Sequence, residues 1–134
     1  MGYYLQRTYG DDMVVFGFDF YEGSFRAFDL NSAGQLSRRG LVEHTVGAPP
    51  DDTHEAFFAN AGYSRLFIDL RPVRTMRQSG AVTDWFKQSH RMRWVGATYA
   101  PDLPDRGLPP VLITAHFDVV VFFRTTVASE PATP

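Results

Sequence analysis

Two short apolar runs constrain this chain more than any other feature of its 134 residues. Met13-Val14-Val15-Phe16-Gly17-Phe18-Asp19-Phe20 and Phe117-Asp118-Val119-Val120-Val121-Phe122-Phe123 are rich in β-branched and aromatic residues and read as strands. At positions 13 to 16 apolar residues fall on both alternating faces, which predicts a strand buried on both sides, as in a covered α/β sheet. Gly17 marks a bulge or a close approach of another group. The longest uninterrupted apolar stretch, Val119 to Phe123, is far too short to cross a bilayer. A chain of this length fits one domain and can bury roughly two thirds of its unfolded surface.

The remaining elements follow from punctuation and periodicity. The first ten residues read as the end of a helix, with Met1, Tyr3, Leu5 and Tyr9 on one stripe and Gly10 as its stop. No capping residue precedes that helix, so the chain is expected to begin in the middle of a larger fold. After the first strand the sequence turns at Gly23 and continues to Asp29 as a second, more exposed strand. Asn31 to Gly34 is a turn cluster, and Leu41 to Val46 pairs back antiparallel. Beyond Pro49-Pro50, Asp52 caps a helix in a capping-box pattern with Glu55, Phe57, Phe58 and Ala61 form its apolar face, and Gly62 ends it. Leu66 to Leu70 is a buried strand, residues 71 to 80 are a basic loop, and Val82, Trp85 and Phe86 share one face of a short helix. Met92 to Tyr99 reads as a strand and the proline-rich 101–110 stretch as a surface loop. Residues 1–127 are expected to form one domain and 128–134 a flexible tail.

Composition removes several function classes. Lys and Arg number 13 against 15 Asp and Glu, a formal charge of −2, which lacks the basic footprint of a nucleic-acid binder. Twelve of the 13 basic residues are Arg, a bias that genome composition explains most simply. There is no cysteine, so disulfides, thiolate metal sites and cysteine nucleophiles are excluded. The N-terminal stretch lacks the apolar core of a signal peptide, and no membrane segment is evident, so a cytoplasmic location is the default expectation.

Candidate chemistry is sparse. No phosphate loop is present, and Ser24 in Glu22-Gly23-Ser24-Phe25-Arg26 does not match a nucleophile elbow. His44, His54, His90 and His116 are scattered without metal-ligand spacing, so neither a metal nor any other cofactor is indicated. His54, in the first turn of its helix, is expected to be solvated. His90 opens a strand at a helix-to-strand junction, where a structural role is favoured and a functional one is the alternative. Asp19 and Asp69 lie in apparently buried strands, where an ionised carboxylate is costly unless paired. A salt bridge to a neighbouring Arg is the favoured role for Asp69. Glu22, just past the first strand, sits where ligand sites of open α/β sheets lie. No complete set of nucleophile, base and orienter can be assembled from the sequence.

Several segments together resemble one family. They are Gly2-Tyr3-Tyr4-Leu5, Tyr9-Gly10-Asp11-Asp12 running into Met13 to Phe18, Glu22-Gly23-Ser24-Phe25, Val46-Gly47-Ala48-Pro49-Pro50, Leu66 to Arg71, His90-Arg91-Met92-Arg93 with Gly96-Ala97, and Phe117-Asp118 through Phe123 to Thr126. In this order and spacing they are similar to the C-terminal part of the erythromycin esterase family. The least family-like parts are Asn31 to Arg39 and His116. The resemblance implies an α/β fold, a small partly parallel β-sheet with flanking helices. It also implies a larger protein that opens macrolide lactones or cleaves other esters with water activated by histidine and glutamate, a chemistry tied to antibiotic resistance. Those groups, including a His-Asn-x-His element, belong to the family's larger N-terminal part and do not occur in this sequence. The expected role is therefore a C-terminal segment of an ester hydrolase without independent activity, with a non-enzymatic binding or self-assembling module as the alternative. In such a fold Glu22, Ser24, Phe25, His90 and Arg93 would line the substrate pocket. The implied partners are the family's N-terminal region or a second copy, and a small ester or macrolide-like ligand. Neither nucleic acid nor membrane is expected.

Overall fold

The two long apolar runs pair with each other. In the computed structural model, which describes residues 2–31, 33–77, 80–101 and 107–130, β1 (Phe16–Leu30) lies parallel to β7 (Val119–Thr126). Parallel pairing needs a long crossover, and nearly everything else in the chain lies within it. β2 (Leu36–Val46) returns antiparallel along the second half of β1, and β3 (Arg65–Asp69) joins the far side of β7, also antiparallel. The strand order is β2-β1-β7-β3, with the two-residue β5 (Thr98–Tyr99) added parallel to the end of β1. A second, two-stranded ribbon joins β4 (His90–Arg91) to β6 (Pro110–Val111).

Among the described residues five short helices flank the sheet: α1 (Gly2–Tyr9), α2 (His54–Asn60), α3 (Arg71–Thr75), α4 (Ala81–Phe86) and α5 (Ile113–His116). Helices α2 and α4 supply Phe58, Ala59 and Phe86 to a core completed by Val120 and Phe122 of β7, Leu70, Met92, Val111 and Ile113. The α/β class with a small, partly parallel sheet and flanking helices is thus the observed architecture.

Among the described residues, cover exists on one face of the sheet. Phe18, Val121 and Phe67 stand in register across β1, β7 and β3, and Phe18 and Phe67 are 73% and 67% exposed. Phe16, whose ring lies 6.3 Å from that of Phe67, is also exposed. The expectation of burial on both sides of the first strand fails here, because no helix among the described residues packs on this face. β3, expected to be buried, is likewise covered on one side only.

Four local expectations are corrected. Gly23 is not a turn: β1 runs through it without a break, with φ +126°, and a Cβ there would stand 2.1 Å from the Thr126 carbonyl oxygen. The glycine allows β7 to approach at the point where β1 also takes up β2, since Gly23 is in register with both Thr126 and Val46. The cap of α2 is Thr53 rather than Asp52: its Oγ1 accepts from the Ala56 N–H at 3.2 Å. Residues 71–75 are helical, started by Pro72 in the first turn, while 78 and 79 lie outside the described residues. Met92 to Tyr99 is not one strand, because β4 ends at Arg91 and β5 begins at Thr98. Other expectations hold. Gly10 and Gly62 end α1 and α2 with positive φ. Asn31 builds its turn by accepting from the Ala33 and Gln35 N–H groups. Gly17 is closely approached, by the Phe117 ring. Of the proline-rich stretch, residues 102–106 lie outside the described residues, as do 131–134 of the expected tail.

Candidate functional site

The chemistry gathers where α2 crosses β1. Asp19, on the covered face of β1, is 4% exposed, and Glu55, in the first turn of α2, is fully buried. The Glu55 Oε1 accepts from the backbone N–H of Arg93, and Asp19 Oδ1 accepts from the Phe20 N–H at 2.8 Å. Burial and the charge of Glu55 push the Asp19 carboxyl well above its usual range. Arg93 approaches from the segment after β4. Its Nη2 donates to the carbonyls of Tyr21 (3.2 Å) and Gly47 (2.9 Å), and its guanidinium lies 5.4 Å from the centre of the Phe20 ring.

Two cavities open beside Arg93. One of about 270 Å³ is lined by Phe18, Asp19, Phe20, Arg93, Val95, Phe123 and Thr126. The other, about 210 Å³, runs from Val46-Gly47-Ala48-Pro49-Pro50 past Arg93 to Tyr99 and Leu108. Such walls, apolar and aromatic around a single charged donor, are the usual composition of small-molecule pockets.

The five residues expected to line a pocket fall into three places. Arg93 is at both cavities. Phe25 is joined to it through Phe20: the two rings lie 5.7 Å apart, and Phe25 also packs on His44 (5.6 Å) and Tyr99 (5.1 Å). Glu22 and Ser24 stand further along β1, in and beyond its pairing with β7. The Ser24 hydroxyl accepts from the Ala128 N–H at 2.9 Å and its carbonyl accepts from Thr126 Oγ1, so it fastens the end of β7. His90 lies apart, stacked on Trp85 at 3.5 Å between centroids, with its Nε2 3.1 Å from the Trp85 carbonyl oxygen.

His54 contradicts the expectation of a solvated side chain. It is fully buried, with Nε2 3.1 Å from the Val111 carbonyl oxygen and its ring stacked near Phe58. Burial pulls its pKa down to about 4, so the ring is neutral at pH 7. Asp69 is paired as expected, 2.7 Å from Arg71, and hydrogen bonds from Arg71 draw its pKa down to about 2. Among the described residues no group of three metal-ligating side chains comes together, and no helix is long and apolar enough to cross a membrane.

The contribution of Glu55 was not readable from sequence, where it resembled a capping-box partner for Asp52. The available signal was Asp19: a carboxylate inside an apolar strand demands a polar partner, and only the fold shows which one.

Comparison with known proteins bears on these residues as a set. The sequence model of the erythromycin esterase family matches residues 1–126. No curated protein matches the chain. A crystal structure of a Bacillus cereus protein shares the fold with a TM-score of 0.66 at 24% identity, over 94% of this chain and 28% of that one. A crystal structure of a succinoglycan biosynthesis protein gives 0.68 at 16% identity, over 94% of this chain and 27% of that one. This chain therefore spans a little over a quarter of the length of either structure.

Proposed function

This chain belongs to the erythromycin esterase family, and on that premise we propose that it forms the C-terminal wall of an ester hydrolase's substrate pocket without hydrolysing esters by itself. Family membership supports a hydrolase-like relationship; the wall is a reading of the geometry. The observation that carries it is Arg93, whose guanidinium lines two adjoining cavities floored by aromatic side chains and prolines. An apolar ester with carbonyl acceptors, such as a macrolide lactone, suits that lining: rings and prolines take the apolar body, and Arg93 donates to a carbonyl. Phe25 extends the aromatic side of the wall through Phe20. Glu22 lies further along β1, outside both cavity linings, while Ser24 and His90 hold the wall in shape through their own hydrogen bonds. The activated water would come from residues of the family's larger N-terminal part, because no His-Asn-x-His element occurs here.

Titration of the chain with erythromycin and with a simple aryl ester, followed by nuclear magnetic resonance, tests the wall. Shifts confined to Phe18, Phe25, Val95 and Arg93, with affinity about tenfold weaker in Arg93→Ala, are the expected result. Binding that ignores Arg93→Ala would overturn it.

A second reading rests on a different observation, the exposed apolar face carrying Phe16, Phe18 and Phe67. An uncovered sheet face of this kind invites a partner, so the chain also serves as an assembly module, receiving the family's N-terminal region or a second copy.

A further inference from the structure

One cluster holds more polar chemistry than the wall uses. Asp19 on β1 and Glu55 in the first turn of α2, which packs on that strand, both lie inside the fold beside Arg93. Each keeps one buried oxygen, Asp19 Oδ2 and Glu55 Oε2, without a donor. Two ionised carboxylates offer acceptors only, so neither can satisfy the other. Burying both charges together compounds desolvation with repulsion.

The surroundings do not supply the missing donor. Arg93 is the nearest cation, but its Nη2 is spent on two backbone carbonyls and its Nε has no acceptor. Within the sheet, Asp19 is in register with Phe122 of β7 and Leu66 of β3, which carry no charge. Along its own strand the next residue on that face is Tyr21, whose ring has Arg124 of β7 stacked 5.5 Å away. From α2, the titratable neighbour beside Glu55 is His54, whose Nε2 is engaged with Val111.

We propose that Asp19 and Glu55 share one proton, Asp19 Oδ2–H donating to Glu55 Oε2, and that this singly charged pair latches α2 and the segment bearing Arg93 onto the middle of β1. One proton provides the donor that both orphan oxygens lack. The other oxygen of each already accepts from a backbone N–H, Glu55 Oε1 from Arg93 and Asp19 Oδ1 from Phe20, so the shared proton lies between the two orphan oxygens. Asp19 is the protonated member, as its raised affinity for a proton requires. Since Arg93 is placed by its own backbone bond to Glu55, the pair is a positioning device for the guanidinium at the two cavities. The proposal concerns the folded chain alone and stands whether or not the pocket binds esters.

The test is the pH dependence of unfolding by denaturant for the wild type and Asp19→Asn, together with a carboxyl-carbon titration of the wild type labelled at aspartate. A proton retained in the folded state, but released near the ordinary aspartate value in the unfolded chain, makes the folding equilibrium fall about tenfold per pH unit above that value. Asp19→Asn, whose amide still donates to Glu55, is expected to lack that arm, so that the difference between the two curves displays it. The Asp19 carbon is expected to titrate well above the other aspartates. An unchanged slope in Asp19→Asn, or an Asp19 carbon that titrates with the surface aspartates, would overturn the proposal. If the variant does not fold, the wild-type carbon titration decides alone.

Discussion

His54 and Asp19 are both buried, and they pull stability in opposite directions with pH. His54 is a base whose folded pKa, about 4, lies below its unfolded value. It contributes stability that is present above pH 6.5 and lost as pH falls toward 4, about 3 kcal/mol in all. Asp19 is an acid whose folded pKa is raised, so its contribution is present below pH 4 and lost as pH rises through the folded value. Above pH 4, for as long as folded Asp19 keeps its proton, the two slopes oppose and offset one another. Denaturation curves of His54→Asn should then fall with rising pH over that window, and those of Asp19→Asn should rise. Gly23 offers a second test at this scale. Gly23→Ala combines φ +126° with a collision against the Thr126 backbone, and should cost about 3 kcal/mol or more in chemical unfolding. The sequence signalled each of these residues only halfway. A glycine in a β-rich stretch reads equally as a turn or as a close approach, and the choice belongs to β7, about a hundred residues away. A histidine in a first helical turn reads as solvated unless one knows that the β4–β6 ribbon closes over it.

Helix α2 shows how much of an element was legible. Its existence, its apolar face and its glycine stop were all readable from Phe57, Phe58 and Gly62, because 3.6-residue periodicity and a positive-φ stop are local properties. Its cap was misread by one residue. Asp52 and Thr53 are both competent caps, and what separates them is tertiary: Asp52 is drawn to Arg91, 2.5 Å away, leaving Thr53 to accept from Ala56. Thr53→Ala is expected to cost about 1 kcal/mol in unfolding experiments, and Asp52→Asn measurably less. The same distinction explains the 92–97 segment. It alternates enough to read as a strand, and Met92 and Trp94 do donate to the Pro109 and Gly107 carbonyls in the register of the β4–β6 ribbon. Arg93, however, spends its N–H on a carboxylate and Pro109 has no N–H to return, so the strand does not continue.

At the scale of the whole molecule, the apolar runs announced an α/β sheet correctly and announced its cover incorrectly. Strand composition records the environment a strand is made for, and Phe16, Phe18 and Phe67 suit an interior that the described residues do not provide. The chain alone is therefore expected to self-associate through that face. Sedimentation velocity should show assembly that grows with concentration and is suppressed in the Phe18→Ser, Phe67→Ser double variant; a wild type that stays monomeric throughout contradicts it. The candidate site divides in the same way. Arg93 was legible through its resemblance to a family segment, whereas the Asp19–Glu55 contact joins two elements whose sequence spacing carries no trace of their proximity.

The most direct measurement is turnover. The purified chain, incubated with erythromycin and with aryl esters at neutral pH, is expected on this proposal to release product no faster than buffer, the groups that activate water being assigned to the family's N-terminal part. Sustained hydrolysis that disappears in His90→Ala would contradict this account and locate a working catalytic centre within these 134 residues.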